Sequence, residues 1–450
     1  MKLPLEFERN MRNLLGKDFD NYIESLNEQP KKGMRVNANY ITSQDFDKVS
    51  NIDARKIVGL DNYYQIFDEK RVGNTAFHHA GMIYIQEPSS MLPALALDVK
   101  EGETCLDLCS APGGKAGQIL ENNKTGIVVL NEIVRQRANI LYSNIERQGY
   151  KNALITCLSP QKLSQSLANY FDKILVDAPC SGEGMFRKDN GTIEEWNSGL
   201  PEFNHQRQME ILDSADKMLK QGGVLVYSTC TFNLEENEKT VLEFSEKYGY
   251  KIDKVPSIVE RYTSKGLLNG VENARHCFPH NGFGEGQFIC RLIKISENNY
   301  DSYTKKTYQS VNRQDKMVAD SFIKECINKS LTTIKVGDNI CAVEQDFPYI
   351  PDGVVNIGVR LGCVEKGRIV PNHQFFKAYG KEFVSKVCLN IEDARVYDYM
   401  YGNQIEVDGL KNGYACVLVE NVPLGGGKVV GNVLKNHYPK GLRTNKVEKL

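Results

Sequence analysis

The sequence predicts an α/β protein whose central domain is a doubly wound, mostly parallel β-sheet. From Thr104 onward, short apolar runs alternate with amphipathic stretches, which is the strand and helix order of such a sheet. Several of these runs end at an acid or a cysteine next to a turn rich in glycine or proline. Ligands of doubly wound sheets bind beyond the carboxyl ends of the strands, so we expect the functional residues at these ends.

Strands are predicted where the chain is apolar over a few residues, in the segments TCLDLC, GIVVLNE, ALITCL, KILVDAP and VLVYSTC. The helix after GIVVLNE has one apolar face, formed by Val134, Ala138, Leu141 and Ile145. Gly149 is predicted to end that helix. A second helix, over HQRQMEILDSADKMLKQGG, is predicted to end at its glycines. Asn233 and Glu236 form a capping pair for the helix after VLVYSTC.

The composition is that of an ordinary globular protein. The chain has 450 residues, of which 41% are hydrophobic and 25% are charged, so two or three domains are expected. We find no apolar run long enough to span a bilayer and no signal-peptide pattern, and we therefore expect a cytoplasmic protein that does not contact a membrane. The twelve cysteines are scattered without a CxxC pair, so no metal site is predicted.

The region after the core differs in composition. A polar segment from Ser296 predicts an exposed boundary, and short β-prone runs with frequent glycine follow it. Although the net charge of the chain is only −1, its last part is basic and carries Lys428, Lys435, Lys440, Arg443, Lys446 and Lys449 against Glu448. Charge alone leaves two interpretations open, phosphate contacts and a solvated tail.

The segment LDLCSAPGGK predicts a ligand-binding turn. Asp107 ends a strand, and Gly113-Gly114 allow close backbone approach at the start of the next helix. The spacing matches neither a Walker loop nor a GxGxxG turn. Glu132 ends the next strand, where an acid can accept hydrogen bonds from a ribose. These features favour an adenosine-type cofactor over the alternative that Glu132 only begins a helix.

Two cysteines follow two other predicted strands, Cys180 after Asp177-Ala178-Pro179 and Cys230 after Thr229. Cysteine is a nucleophile when its thiolate is favoured and accessible. A thiolate that adds to C6 of cytosine makes C5 a carbon that can attack a methyl sulfonium. Asp177 could hydrogen-bond the edge of the base or manage its protonation, and Lys115 could add positive charge beside it. Spacing alone does not decide which thiol attacks.

The motifs LDLCSAPGGK, NEIVRQRANIL, VDAPCSGEGMFRK and YSTCTFNLEENE, in this order, resemble the Sun/Nop-type RNA cytosine-5 methyltransferases. The segments RHCFPHNGFGEGQFICRL and GGGKVVGNVLKNHYPKGLR resemble the bacterial RsmF-like branch, which modifies small-subunit ribosomal RNA. The resemblance implies a Rossmann-like core that uses S-adenosylmethionine. The predicted parts are an N-terminal RNA-binding or packing extension (1–100), the methyltransferase core (101–295), a linker with a helix (296–335) and a small, mostly β, PUA-like RNA-binding module (336–450).

The resemblance also implies a role for each matching residue. The cofactor would lie on a turn made of Cys109, Ser110, Ala111, Pro112, Gly113, Gly114 and Lys115. Glu132 would bind its ribose with Arg137 nearby, and Asp177 would lie between cofactor and base. Cys230 would be the nucleophile and Cys180 would assist product release, although DNA cytosine methyltransferases use a Pro-Cys thiol as nucleophile. Ser159 stands where the family usually has an acid near the adenine, which implies a weaker contact.

The sequence thus predicts a monomeric enzyme that methylates C5 of a cytosine in small-subunit ribosomal RNA, without a metal. One rival hypothesis is a ribosome-assembly factor that retains the fold and acts by binding RNA. A second is a methyltransferase for another RNA atom. Cys230, Cys180, Asp177 and Lys115 together argue against the binding factor, and the two thiols argue against the other target atoms, because methylation of an amine or a ribose needs no cysteine.

Overall fold

The structure, a computed structural model, describes residues 3–68, 71–297, 300, 303–444 and 447. The N-terminal part contains five helices and a four-stranded antiparallel sheet in the order β2-β3-β1-β4. Its elements are α1 (Leu5–Leu15), α2 (Phe19–Ser25), β1 (Lys32–Val36), α3 (Ser43–Val49), β2 (Ala54–Lys56), β3 (Tyr63–Ile66), α4 (Ala76–His79), β4 (Ile83–Ile85) and α5 (Leu92–Leu97).

The core alternates strands and helices as predicted. Its elements are β5 (Thr104–Asp107), α6 (Gly114–Asn122), β6 (Ile127–Asn131), α7 (Arg135–Gln148), β7 (Ala153–Thr156), α8 (Pro160–Ser166), β8 (Phe171–Asp177), α9 (Asn190–Glu195), α10 (Leu200–Met218), β9 (Leu219–Thr229), α11 (Thr240–Tyr248), β10 (Tyr250–Asp253), α12 (Ser257–Glu260), β11 (Ser264–Lys265), β12 (Arg275–Cys277) and β13 (Gln287–Lys294). A π-helical turn, Glu235–Lys239, precedes α11.

The core sheet confirms the doubly wound prediction. Strands β7-β6-β5-β8-β9 are parallel in this order, and β13 joins the β9 edge antiparallel. Side chains of β5 and β6 alternate between two apolar layers: Leu106 and Val129 pack with the α8 and α10 side, whereas Cys105 and Val128 pack with α6 and α7. Because both faces are covered by helices, the strands are apolar throughout.

Two predicted helix boundaries differ from the structure. Ala138, Leu141 and Ile145 are fully buried and Gly149, with φ of 73°, ends α7, but Val134 precedes the helix and is 46% exposed. The predicted glycine stop of α10 is wrong. The helix ends at Met218, and its glycines lie in β9, because Leu219 already pairs with Phe171 of β8. The capping pair is confirmed, since Asn233 Oδ1 accepts the backbone N–H of Glu236 at 2.9 Å.

The C-terminal part is mostly β, as predicted. Its elements are α13 (Arg313–Ile327), β14 (Thr332–Val336), β15 (Asn339–Val343), β16 (Val354–Ile357), β17 (Val359–Glu365), β18 (Arg368–Pro371), α14 (His373–Tyr379), β19 (Lys386–Leu389), α15 (Ala394–Tyr401), β20 (Ile405–Glu406), β21 (Gly413–Val419), β22 (Val422–Val430) and β23 (Val433–Asn436). Two sheets have the orders β14-β15-β17-β18 and β19-β21-β22-β23-β20.

Strand β16 is the exception, because it leaves this part of the chain and pairs antiparallel with β7 of the core sheet. Of the basic residues near the end, Lys428, Lys435 and Lys440 are exposed and Arg443 is half-buried. Lys446, Glu448 and Lys449 lie outside the described residues. In the described part of the chain, no helix is both long and apolar enough to cross a membrane.

Candidate active site

The predicted functional residues follow neighbouring strands of the core sheet. Asp107, Glu132, Asp177 and Cys230 lie at the carboxyl ends of β5, β6, β8 and β9, respectively. Because β5 lies between β6 and β8, and β8 is next to β9, these ends form one continuous edge. The edge is where a doubly wound sheet binds its ligands.

Two cavities open along this edge and share Cys109, Ala111 and Asp177 in their walls. The glycine-turn cavity has a volume of about 250 Å³ and is lined by Tyr84, Ile85, Gln86, Glu87, Ser90, Asp107, Ser110, Pro112, Gly114 and Lys115 besides the shared residues. The thiol cavity has a volume of about 390 Å³ and is lined by Leu108, Asn131, Glu132, Ile133, Val134, Arg137, Pro160, Gln161, Ala178, Pro179, Cys180, Arg207, Glu210, Ile211 and Cys230 besides the same three.

The turn from Cys109 to Lys115 is held open by contacts to neighbouring elements. Gly113 has φ of 111°, in the left-handed region, and a Cβ there would lie 3.1 Å from Cδ1 of Leu141. The carbonyl oxygen of Ala111 accepts a hydrogen bond from Arg137 at 3.0 Å, and that of Pro112 accepts one from Asn144 at 2.9 Å. These bonds fix the turn in front of the first N–H groups of α6.

The N-terminal extension also supports this turn, which the sequence did not predict. Arg35 of β1 is buried, and its guanidinium donates to the carbonyl oxygen of Gly114 at 3.1 Å and to Gln86 at 3.1 Å. It also pairs with Glu121 of α6 at 2.8 Å. Arg35 and Gly114 are about 80 positions apart in the sequence, so no local sequence pattern predicts their contact.

Glu132 is 2% exposed and its carboxylate lines the thiol cavity. One oxygen accepts the backbone N–H of Val134 at 2.9 Å, and the other lies 3.4 Å from the guanidinium of Arg137. Glu132 therefore does stabilise the chain at the start of α7, which was the alternative interpretation. The same carboxylate is also placed to accept hydrogen bonds from a ligand in the cavity.

Ser159 lies apart from these residues. Its hydroxyl accepts the backbone N–H of Lys162 at 3.3 Å and caps α8. The next two residues, Pro160 and Gln161, line the thiol cavity, whereas Ser159 is not among its lining residues. The structure thus gives the Ser159 side chain a capping contact that competes with a contact to a cofactor.

Lys115 and Asp177 form an ion pair in the wall between the cavities, with 2.7 Å between Nζ and Oδ2. Burial alone would lower the pKa of Lys115, but the carboxylates of Asp177 and Asp107 raise it above its ordinary value. Ser228 donates to the other Asp177 oxygen at 2.7 Å. Asp107 is fully buried at the end of β5, and burial together with Asp177 raises its pKa to about 7. Because the pKa of Lys115 is raised, its ammonium stays charged.

The two thiols meet in the thiol cavity, where Cys180 Sγ and Cys230 Sγ lie 3.3 Å apart. Both cysteines are free thiols and partly accessible. The hydrogen bond to Cys230, burial and the nearby charges of Cys230 and Glu236 raise the pKa of Cys180 well above its usual value. No cluster of three His, Cys, Asp or Glu side chains suited to a metal ion was found in the described residues. The site has room for a nucleoside-like ligand beside two thiols in contact with each other.

Comparisons with known proteins bear on the family and the fold of the chain. Three family models match in sequence: the N-terminal domain of 16S rRNA methyltransferase RsmF over residues 3–88, the 16S rRNA methyltransferase RsmB/F over residues 94–293, and the methyltransferase RsmF PUA domain over residues 386–444. A methyltransferase homolog protein from Pyrococcus horikoshii has 27% identity and a TM-score of 0.57, covering 64% of this chain and 94% of that chain. The NSun6 structure from the same organism, with SFG, is 22% identical, has a TM-score of 0.58, covers 65% of this chain and 99% of that chain, and shows the fold.

Relatives match along almost the whole chain. The ribosomal RNA small subunit methyltransferase F of Vibrio vulnificus strain YJ016 is 30% identical, with 99% of this chain and 98% of that protein covered. The protein of the same name from Shewanella loihica is 29% identical, with 98% of this chain and 96% of that protein covered. The predicted family is confirmed: the chain belongs to the ribosomal RNA small subunit methyltransferase F family, with a Rossmann-like methyltransferase core, an RsmF N-terminal domain and a PUA domain.

Proposed function

We propose that this protein transfers a methyl group from S-adenosylmethionine to C5 of a cytosine in small-subunit ribosomal RNA. The observation that carries the proposal is the pair of thiols 3.3 Å apart in the cavity that also contains Glu132 and Asp177. Methylation at an amine or a ribose has no use for two thiols at the reacting atoms. The names of the full-length relatives support ribosomal RNA as the substrate class.

The residues at the carboxyl ends of the core strands fit S-adenosylmethionine as the cofactor. S-adenosylmethionine, when bound, supplies an electrophilic methyl group on a sulfonium. The buried carboxylate of Glu132 faces the thiol cavity and suits ribose hydroxyls, with Arg137 holding it in place at 3.4 Å. We assign the amino-acid end of S-adenosylmethionine to the turn from Cys109 to Lys115 and to Asp177. Asp177 lines both cavities. We assign Ser159 only a weak contact to the adenine, because its hydroxyl already caps α8.

We assign the attack on C6 of cytosine to Cys230. The ammonium of Lys115 lies 2.7 Å from Asp177 and also interacts with Cys230, so a positive charge lies close to the attacking sulfur. When the Cys230 Sγ–C6 bond forms, the electrons of the C5=C6 double bond make C5 nucleophilic. Lys115 then also offsets the negative charge that develops on the ring, and Asp177 is placed to hydrogen-bond the edge of the base.

Release of the product needs a second step. After C5 carries the methyl group, its proton is lost, the C5=C6 double bond forms again and the C6–Sγ bond breaks. Cys180 lies in contact with the leaving sulfur, and we assign it to this step. The target cytosine must leave its helix or lie in an open loop, because both faces of the ring have to be reached. We assign RNA binding outside the site to the PUA domain and its exposed lysines.

Bisulfite mapping tests this function. Small-subunit ribosomal RNA from cells that lack the protein should lose protection at one or more cytosines, and the intact gene should restore it. A Cys230→Ala gene should not restore it. Unchanged methylation combined with defective subunit assembly would instead favour the hypothesis of an RNA-binding assembly factor.

A further inference from the structure

A buried carboxylate, Glu236, lies directly behind the loop that carries Cys180. Glu236 has no exposed surface, and its Oε2 accepts hydrogen bonds from the backbone N–H of Ser181 and from Gln208, both at 2.9 Å. The same Gln208 amide donates to the carbonyl oxygen of Pro179 at 2.9 Å. The residues on both sides of Cys180 are therefore tied to Glu236.

The same carboxylate holds the loop that carries Cys230. Its Oε1 accepts a hydrogen bond from the Asn233 amide at 2.8 Å and also bonds the Ser181 hydroxyl. Ser181 Oγ in turn lies 2.7 Å from Oγ1 of Thr231, the residue after Cys230. Glu236 thus joins both cysteine loops at one point, behind the contact between the two sulfurs.

The charges around the two thiols are unequal. The contact with Cys230 and burial raise the pKa of Cys180 most strongly, and the negative charge of Glu236 adds to them, whereas the ammonium of Lys115 interacts with Cys230. The charged groups that line the thiol cavity are Glu132, Arg137, Asp177, Arg207 and Glu210, and the negative charge of Glu183 acts on Glu236. A nearby negative charge favours the protonated form of a thiol, here that of Cys180.

We propose that Glu236 is a positioning residue that ties the two cysteine loops together and holds the Cys180 thiol against the Cys230 sulfur, so that the two thiols act in different steps. The proposal deepens the function proposed above and rests on it. During release, water takes the proton from C5 and the electrons of that bond form the C5=C6 double bond. The electrons of the C6–Sγ bond pass to the Cys230 sulfur, which leaves as a thiolate and accepts a hydrogen bond from the Cys180 thiol.

Thiol labelling of the full chain without RNA tests the effect of Glu236 on Cys180. With iodoacetamide near neutral pH, followed by peptide mass spectrometry, Cys230 should be alkylated faster than Cys180 in the unchanged protein. Glu236→Gln should raise the alkylation rate of Cys180 severalfold, because the loop is no longer held and the negative charge beside the thiol is removed. Glu238→Gln is the matched control. Glu238 also has no exposed surface, but it bonds His276 at 2.7 Å and the Leu267 amide at 3.0 Å.

The same variants should differ with substrate RNA present. Glu236→Gln should accumulate a covalent protein–RNA adduct, because Cys180 is no longer held where its thiol can donate to the leaving sulfur, and Glu238→Gln should not. Equal labelling of the two thiols in the unchanged protein, which requires no variant to fold, would overturn the proposal. An equal rise in Cys180 labelling in both variants would also overturn it. If no variant forms an adduct, the proposed methylation chemistry fails, whereas labelling still decides what Glu236 does to Cys180.

Discussion

The assignment of the cofactor site depends most on Glu132. Its carboxylate is buried, yet it faces an open cavity, so a ligand that reaches it would gain charge-assisted hydrogen bonds. Glu132→Ala should weaken S-adenosylmethionine binding by roughly 1–3 kcal/mol, measured by calorimetry. Ser159→Ala should weaken it less, because that hydroxyl already caps α8. The opposite order of the two effects would refute the assignment of both residues.

Some residues of the candidate site could be predicted from the sequence and others could not, for a physical reason. Asp177, Cys180 and Cys230 lie at or just after strand ends, and Lys115 lies in the first turn of α6. Parallel strands place their carboxyl ends together, so the convergence of these residues follows from the topology. Arg35 gave no such signal. Its role depends on a contact to the carbonyl oxygen of Gly114 from another part of the chain.

At the scale of single elements, α7 links core packing to the glycine turn. Leu141 is fully buried on its inner face, and its side chain lies against Gly113. Leu141→Ala should lower the free energy of unfolding by about 2–5 kcal/mol, because it leaves a cavity in the core. Ile140, on the outer face, is 52% exposed, so Ile140→Ala should cost less than about 0.5 kcal/mol. Urea denaturation measures both values, and similar losses would contradict the orientation of α7.

Helix ends were predicted correctly where a nearby residue type determines them, and wrongly where strand pairing determines them. Gly149 ends α7 by adopting a left-handed conformation that the sequence alone suggests. The end of α10 depends on pairing instead, because Leu219 enters the sheet beside Phe171 before the glycines are reached. Val134 completes the apolar period of α7, but it precedes the helix and lines the mouth of the thiol cavity.

At the scale of the whole molecule, the C-terminal part is integrated with the core. Strand β16 covers the open edge of β7, and this pairing joins residues about 200 positions apart, which no local pattern can predict. Lys377 of α14 is buried and donates to the carbonyl oxygen of Ala80 at 2.6 Å and to that of Pro423. Removing the chain after residue 336 would therefore damage the core as well as remove the PUA domain.

Surface substitutions test RNA binding without that damage. Lys428 and Lys435 are exposed neighbours on β22 and β23, and Nζ of Lys428 lies 5.7 Å from the Tyr414 ring. The double variant Lys428→Ala, Lys435→Ala should bind RNA more weakly and lower the salt dependence by about two released ions. Fluorescence anisotropy over a range of salt concentrations measures both, and cofactor binding should be unchanged.

The matched control is Lys251→Ala, Lys254→Ala, which removes two exposed lysines at and after β10. This variant should keep the affinity and the salt slope of the unchanged protein. Equal losses in the two double variants would show that total charge matters and that the sheet of β22 and β23 is not a specific RNA-binding surface.

The central claim is that the two thiols act on one cytosine in different steps, and a denaturing gel of the full-length protein with its RNA tests it most directly. Cys180→Ala leaves the nucleophile in place and slows release, so a covalent protein–RNA band should accumulate. Cys230→Ala should show neither the band nor methylation, and the double variant should show no band. A band that persists in Cys230→Ala and disappears in Cys180→Ala would contradict the claim and make Cys180 the nucleophile.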